Sequence, residues 1–382
     1  MKQTEHSKRE PLFHIVKRDS IDIRKKAAFY AGTIFLSLLL GGIICSLFSS
    51  GNPVRFFGSL FKGAFSTVRR IWLLFQDTAI LLGVSLALAP AFKMKFWNLG
   101  GNGQILMGCL AYVASMFYLG GKLPNFVVML IGLIGGVIAG AVWGVIPAIF
   151  KAFFNTNESL FTLMMNYIAS GLVAAFITIW VKTGSGVLNP LSSGTIPELG
   201  NKYLLIILVF FLLAGLMYAY TKYSKHGYEI SVVGESNNTA KYIGINVKKV
   251  IIRTMILSGA IAGLVGAFIG GAVDHTVSTA SANNMGFTAI MTAWLAAFNP
   301  LIMIAACFFI TFVDKGMTQV RKDFKFTNDA IANIVIGIVY FAVIAVTFLL
   351  SYKIVFREGA FDKIKAIFKK SSKANAGEED KA

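Results

Sequence analysis

Ten apolar runs, separated by short polar stretches, limit what this chain can fold into. They are Ala27–Ser49, Ile71–Phe92, Ile105–Leu119, Phe126–Phe150, Leu163–Val181, Tyr203–Tyr220, Val250–Val273, Gly286–Phe298, Leu301–Val313 and Ala330–Leu350. Charged types make up only 14% of the 382 residues, against about 25% in an ordinary soluble domain. About 20 apolar residues cross a bilayer as a helix, the one open-ended form that satisfies every backbone N–H and C=O within its own segment. The pattern predicts an all-α integral membrane protein of about ten transmembrane helices. Residues 1–26 form a basic N-terminal tail, 27–350 the transmembrane domain and 351–382 a second basic tail. The first run is too long for a signal-peptide core and reads as a retained span.

The net charge of +18 raises the question of nucleic acid. The bases sit at the two ends and between apolar runs, without the basic, aromatic-studded soluble domain that nucleic-acid binding needs. Membrane orientation accounts for them better. With the N-terminus in the cytoplasm and ten crossings, 25 of the 36 Lys and Arg fall on inner segments and 11 on outer ones, in accord with the positive-inside rule. Both termini are then cytoplasmic. Two outer segments, Arg55–Arg70 and Asp314–Asp329, carry four bases each. In the first, Val54, Phe57, Phe61, Phe65 and Val68 recur in steps of three and four, which predicts a helix lying on the outer interface with its bases among lipid headgroups.

Several runs are too short to span alone. Short, Gly-interrupted segments point to discontinuous helices, and broken backbone at membrane depth is tolerated only where it packs in protein or lines a watery cavity. Two are expected: Trp97–Leu119, entered through Asn98-Leu-Gly-Gly-Asn-Gly-Gln104, and Asn283–Phe298, entered through Asn284-Met-Gly286. In the ten-span topology they run in opposite directions, which fits an inverted five-plus-five repeat. The candidate pathway residues are the amides Asn98, Asn102, Gln104, Asn166 and Asn284. Each either lines a path for a neutral polar solute or satisfies local backbone, and residue type alone leaves both readings open. Asn166, inside its run, suits an interhelix hydrogen bond. Glu158 suits the first turn of the helix around Leu160. Asp77 lies within its span, and a membrane carboxylate is a functional suspect by default. The 37 glycines, among them Gly135, Gly136, Gly140, Gly259, Gly263 and Gly266, suit close helix packing. Cys45, Cys109 and Cys307 all lie in apolar runs and have no metal spacing.

No phosphate-binding loop of the form G-x-x-x-x-G-K-[ST], no nucleophile elbow, no HExxH and no CxxC occurs, which argues against an enzyme. The largest inner loop is 222–249. Asn237 and Asn238 are placed to cap a short helix over Thr239–Ile243, with Gly244 to end it. Such a helix is either a surface for a soluble motor or an ordinary connection.

Gly234-Glu-Ser-Asn-Asn-Thr-Ala-Lys-Tyr-Ile-Gly-Ile245 resembles the G-x-N-x-x-A-A-x-x-x-G-I coupling loop of the ribose-type and nucleoside-type ATP-binding-cassette importer permeases. The segments Asn98–Gly108, Asn157–Ala169, Ser258–Ala267 and Met285–Ala293 are similar to further family motifs, in order along residues 25 to 350. The two segments Asn98–Gly108 and Asn157–Ala169 resemble the branch that works with basic-membrane-protein-type lipoproteins. The sequence departs from the family where a Glu is replaced by Asn102. The resemblance implies a permease subunit in a bacterial inner membrane, importing nucleosides, or alternatively a simple sugar such as ribose. It implies that Gly234, Asn238, Thr239, Ala240 and Gly244 couple the chain to a separate ATPase subunit. It also implies a second permease, shorter than this one, and a substrate-binding lipoprotein. No cofactor is then expected on this chain, since ATP and Mg belong to the ATPase. An ion-coupled transporter would need a core carboxylate, for which Asp77 is the one good candidate. A scaffold that transports nothing leaves the two broken helices unexplained.

Overall fold

The computed structural model describes residues 13–17, 23–49, 52–182, 184–326 and 330–356. The chain forms β1 (Phe13–Lys17), α1 (Ile23–Leu47), α2 (Pro53–Phe65), α3 (Val68–Lys93), α4 (Gly101–Leu119), α5 (Asn125–Phe154), α6 (Glu158–Trp180) and α7 (Leu204–Tyr223). It continues through α8 (Lys225–Glu235), α9 (Asn237–Tyr242) and α10 (Val247–Phe268), which runs on as a π-turn over Ile269–Val273. The last elements are α11 (Met285–Leu295), α12 (Pro300–Asp323), α13 (Ala330–Ser351) and β2 (Tyr352–Phe356). Among the described residues nine helices are long and apolar enough to cross a membrane: α1, α3, α4, α5, α6, α7, α10 with its π-turn, α12 and α13.

The chain divides into two units. The first comprises the described residues up to Ile43 and from Gly337. In it α1 and α13 meet through a Tyr30–Thr347 hydroxyl contact of 3.1 Å. Strands β1 and β2 pair antiparallel, from Phe13 against Phe356 to Lys17 against Tyr352. This pairing puts the chain before α1 and the chain after α13 on the same side. The basic tails expected at 1–26 and 351–382 otherwise lie largely outside the described residues.

The second unit, Ile44–Ile336, holds the bundle. α3 and α12 are antiparallel neighbours: Asp77 on α3 pairs with Lys315, and further along Ser85 meets Cys307 at 3.6 Å. Trp72 and Tyr203 stack at 6.3 Å, so α7 starts beside the start of α3 and runs with it. Trp294 near the end of α11 sits 5.8 Å from Trp97, just beyond the end of α3. The unit therefore makes eight passes, seven through long helices and one through residues 274–295. Only the second half of that pass is helical. α11 has 11 residues, about 16 Å at 1.5 Å per residue, roughly half the hydrocarbon thickness.

This corrects the expected layout around residues 286–329. The run Leu301–Val313 is the first part of a 24-residue helix that continues to Asp323, so the expected outer segment Asp314–Asp329 is largely helix. Asn299 and Pro300 explain the boundary. The Asn299 side chain accepts from Leu301 N, and proline fits the first turn, where its missing N–H is not needed. α2 forms where an interfacial helix was expected, and it has two faces. Phe56, Leu60 and Ala64 are buried, and Gly63 lies against Lys315 and Gly316 of α12. The expected stripe of Val54, Phe61, Phe65 and Val68 remains exposed.

α4, α5 and α10 form the tightest contact. A side chain on Gly140 would collide with the carbonyl of Gly259, one on Gly263 with that of Gly136, and one on Gly108 with that of Gly263. In lipid, helices associate chiefly through such close packing, since burial of apolar surface gives no net drive. Enlarging Gly140 or Gly263 to Val should lower the stability of the purified protein by about 1–3 kcal/mol, the usual cost of overpacking. Thermal unfolding in detergent measures this. Gly135→Val, where nothing lies within 4 Å, should leave the midpoint unchanged.

Candidate functional site

α4 and α11 begin inside the bundle, and their first turns face each other. A Cβ on Gly101 would lie 3.2 Å from the Gly286 Cα, and one on Gly286 would lie 2.7 Å from Asn102 N. The helices run in opposite directions from this point. Ser258, eleven residues beyond Val247 at the start of α10 and about 16 Å along it, contacts Asn98 at 3.3 Å, so the break before α4 is deep.

Side chains satisfy the broken backbone. Asn98, fully buried, accepts from Gly100 N at 3.0 Å and donates to Ser258 Oγ. Gln104, 1% exposed, exchanges long contacts of 3.4 and 3.5 Å with the Asn98 amide. Leu99 N donates to Thr162 Oγ1 at 3.1 Å. Asn166 on α6 uses both ends of its amide: Oδ1 accepts from Gly103 N and Nδ2 donates to Leu99 O, each at 2.8 Å. Asn102 Oδ1 accepts from Gly286 N at 2.8 Å, which ties the two helix starts together. Asn283 and Asn284 hold φ of 41° and 53°, the left-handed region that asparagine tolerates better than most residues. The rest of α11 is fixed by Thr292, whose Oγ1 meets Ser85 Oγ at 2.5 Å.

Beside the junction lies a cavity of about 310 Å³, lined from α4 by Asn102 and Leu106, and from α6 by Leu163, Asn166, Tyr167 and Ser170. Thr279, Ala280, Ala282, Asn283, Asn284 and Phe287 complete the lining. No lining residue is charged. Of the five amides picked from sequence, Asn102, Asn166 and Asn284 line this cavity. Asn98 and Gln104 do not: Asn98 packs against Ser258 of α10, and Gln104 lies between Asn98 and Gly144 of α5. Asp77 is also elsewhere, paired with Lys315. The sequence reading missed Tyr167, Ser170, Thr279, Asn283 and Phe287. The α6 contribution falls at 163, 166, 167 and 170, one helical face, so projecting Asn166 onto its helix would have found Tyr167 and Ser170.

At the Lys93 end, a second surface gathers the coupling candidates. Ala240 is buried in an apolar cluster with Ala91, Met94, Ile230, Val233, Val250 and Met255. Gly234 lies against the Lys93 carbonyl with no room for a side chain. Gly244 holds φ 84° and turns the chain after α9. Asn238 and Thr239 are exposed, and Tyr242 is 92% exposed. The cap is Ser236, whose side chain accepts from Thr239 N, and not Asn237 or Asn238. The helix consequently starts two residues earlier than expected, at Asn237. Asn157 caps α6, while Glu158 pairs with Lys151 at 2.8 Å across the α5–α6 corner. Arg253 pairs with Glu229 at 2.9 Å, which fastens α8 to α10.

Residues 70–344 match the family model described as branched-chain amino acid transport system / permease component. Over 373 residues the chain is 28% identical to the nucleoside ABC transporter permease protein NupB of Lactococcus lactis subsp. cremoris, covering 91% of this chain and 96% of that one. It is 28% identical over 284 residues to the guanosine ABC transporter permease protein NupP of Bacillus subtilis, covering 72% and 81%. It is 24% identical over 340 residues to the glucose ABC transporter permease protein TsgB13 of Haloferax volcanii, covering 84% and 88%.

Asn166→Ala should strip Gly103 N and Leu99 O of their partners and destabilise the fold by about 1–3 kcal/mol, the range for polar groups left unsatisfied. Thermal unfolding in detergent measures the loss. Ser170→Ala, on the same helix face, should cost little.

Proposed function

The chain belongs to the family of permease components typified by the branched-chain amino acid transport system, and on that premise we propose that it is the membrane subunit of an ATP-binding-cassette importer carrying nucleosides inward. One observation carries the reading at the site: an uncharged, amide-lined cavity where two helix starts meet inside the bundle. Irregular backbone at such depth suits a solute path. Neutral amides hold a sugar hydroxyl or a base edge without the trap of a fixed charge. The choice of nucleoside rests on the names of the Lactococcus and Bacillus relatives. The Haloferax relative, named for glucose, favours a second reading in which the same path carries a simple sugar.

In this proposal the Lys93 end faces the cytoplasm, as do both chain termini, and the membrane is a bacterial plasma membrane. A separate ATPase subunit docks on the exposed side of α9, around Asn238, Thr239 and Gly244. ATP and Mg bind to that subunit, and this chain holds no cofactor of its own. Ala240 and Gly234 seat α9 against the ends of α3 and α10. Motion of α9 is thereby passed to helices that run to the two breaks. ATP binding biases the balance between two packings of the bundle, as any ligand with unequal affinity for two states must. A substrate-binding lipoprotein delivers solute at the opposite end, and a second permease subunit, a shorter paralogue, covers the open side of the cavity.

Uptake of labelled guanosine and labelled ribose, measured side by side in cells with and without the gene, tests the solute. Loss of guanosine uptake alone is expected. Loss of ribose uptake alone would replace the nucleoside reading by the sugar one. Replacing the exposed Tyr242 and Ile243 by Asp should lower uptake at least tenfold with unchanged abundance in the membrane. Normal uptake by that variant would contradict docking at α9.

A further inference from the structure

Resting on the nucleoside reading, we infer that Tyr167 and Phe287 are the faces on which the base of the solute stacks, and that Asn283 and Asn284 bond the solute's polar edge. Some polar groups at the cavity are already used by the protein itself. Asn166 lines it, but both ends of its amide are bound to the α4 break. Asn102 has given its oxygen to Gly286 N. Among the described residues the Asn283 and Asn284 side chains have no hydrogen-bond partner, and both are exposed at the cavity. Both residues keep a left-handed backbone, a conformation that persists where surroundings enforce it.

The rings follow the same division. Many aromatic residues elsewhere in the unit are engaged with one another: Trp97 with Phe92 and Trp294, Trp180 with Phe117, Tyr118 and Phe176. Tyr167 and Phe287 line the cavity from two different elements, and among the described residues neither has a ring partner. They are 68% and 39% exposed, although the cavity between them is the deep one at the helix breaks. A base presents two apolar π-faces and a polar edge. Stacking on an aromatic side chain is favourable irrespective of base identity, since every base has a π-face. Unspent rings beside unspent amides fit that chemistry, and fit a hexose less well, since it has no flat face of that size. The cavity volume of about 310 Å³ falls at the lower end of small-molecule sites.

The test uses the assembled importer in proteoliposomes, reading guanosine moved per ATP hydrolysed together with lipoprotein-stimulated ATP hydrolysis. Affinity for external solute is set on the lipoprotein, so the ratio reports the permease step. Tyr167→Leu and Phe287→Leu should lower the ratio at least tenfold while ATP hydrolysis stays near wild type, and Tyr167→Phe should restore it. Asn283→Gly and Asn284→Gly keep access to the left-handed backbone and remove the amide, and should lower the ratio about three- to tenfold, the worth of one hydrogen bond. An unchanged ratio in both Leu variants, with guanosine moved by the wild type, overturns this inference and leaves the nucleoside reading standing. Absence of guanosine movement by the wild type overturns both. Parallel loss of ATP hydrolysis and abundance in the Leu variants would make the two rings structural and also overturn it.

Discussion

The close approach of Gly101 and Gly286 is the constraint on which the rest of the site depends. Two helices start there, inside a bundle that belongs in lipid, and each start leaves N–H groups that the helix cannot bond itself. In hydrocarbon each such group costs several kcal/mol if left open. The chain answers with side chains: Asn98 for Gly100 N, Thr162 for Leu99 N, Asn166 for Gly103 N and Asn102 for Gly286 N. Much of the amide content of this region is spent on its own backbone. What remains for a solute is the surplus, and that surplus lies on Asn102, Asn283 and Asn284.

The junction needs a stiff surround, and the glycine contacts of α4, α5 and α10 supply it. Carbonyls of one helix sit where side chains of the next would otherwise stand, so these three helices pack with little slack. α11 is held differently. It is tied to α4 by the Asn102–Gly286 bond and to α3 by Thr292 on Ser85, and its N-terminal flank is a nonhelical stretch from 274 to 284. One wall of the cavity is thus made of helix faces on α4 and α6, and the other of the nonhelical stretch that leads into α11. α9, seated by one buried alanine with its outer face exposed, stands at the Lys93 end of the bundle.

Much of this was legible in the sequence, and the parts that were not have physical reasons. The apolar runs indicated the passes, and Gly next to Asn after an apolar run indicated both breaks, because a helix interrupted in lipid needs both a flexible backbone and a polar side chain. The end of α12 was not legible: Lys315, Arg321 and Lys322 look like a loop by charge, yet Lys315 is paired with Asp77 and the helix runs on beneath α2. Ser236 was passed over as a cap in favour of two asparagines with the same chemistry one and two positions later. Among the site candidates, Asn98 and Gln104 are amides like Asn102, and only packing, of Asn98 against Ser258 and of Gln104 beside Gly144, separates those behind the cavity from those at its wall. Tyr167 and Phe287 carried no signal of their own in a chain with 33 Phe and 12 Tyr. Their unspent rings are visible only once the other aromatic contacts are in place.

The central claim is that solute passes the junction of the two helix starts. The most direct measurement is the rate of maleimide labelling of Asn284→Cys in membrane vesicles, with and without saturating guanosine. The native Cys45, Cys109 and Cys307 are buried, so background reaction should be low. Guanosine should slow labelling of Asn284→Cys severalfold and leave a cysteine placed at the exposed Lys122, in the turn between α4 and α5, unaffected. Equal labelling rates with and without guanosine, in vesicles that transport it, would contradict a path through this junction.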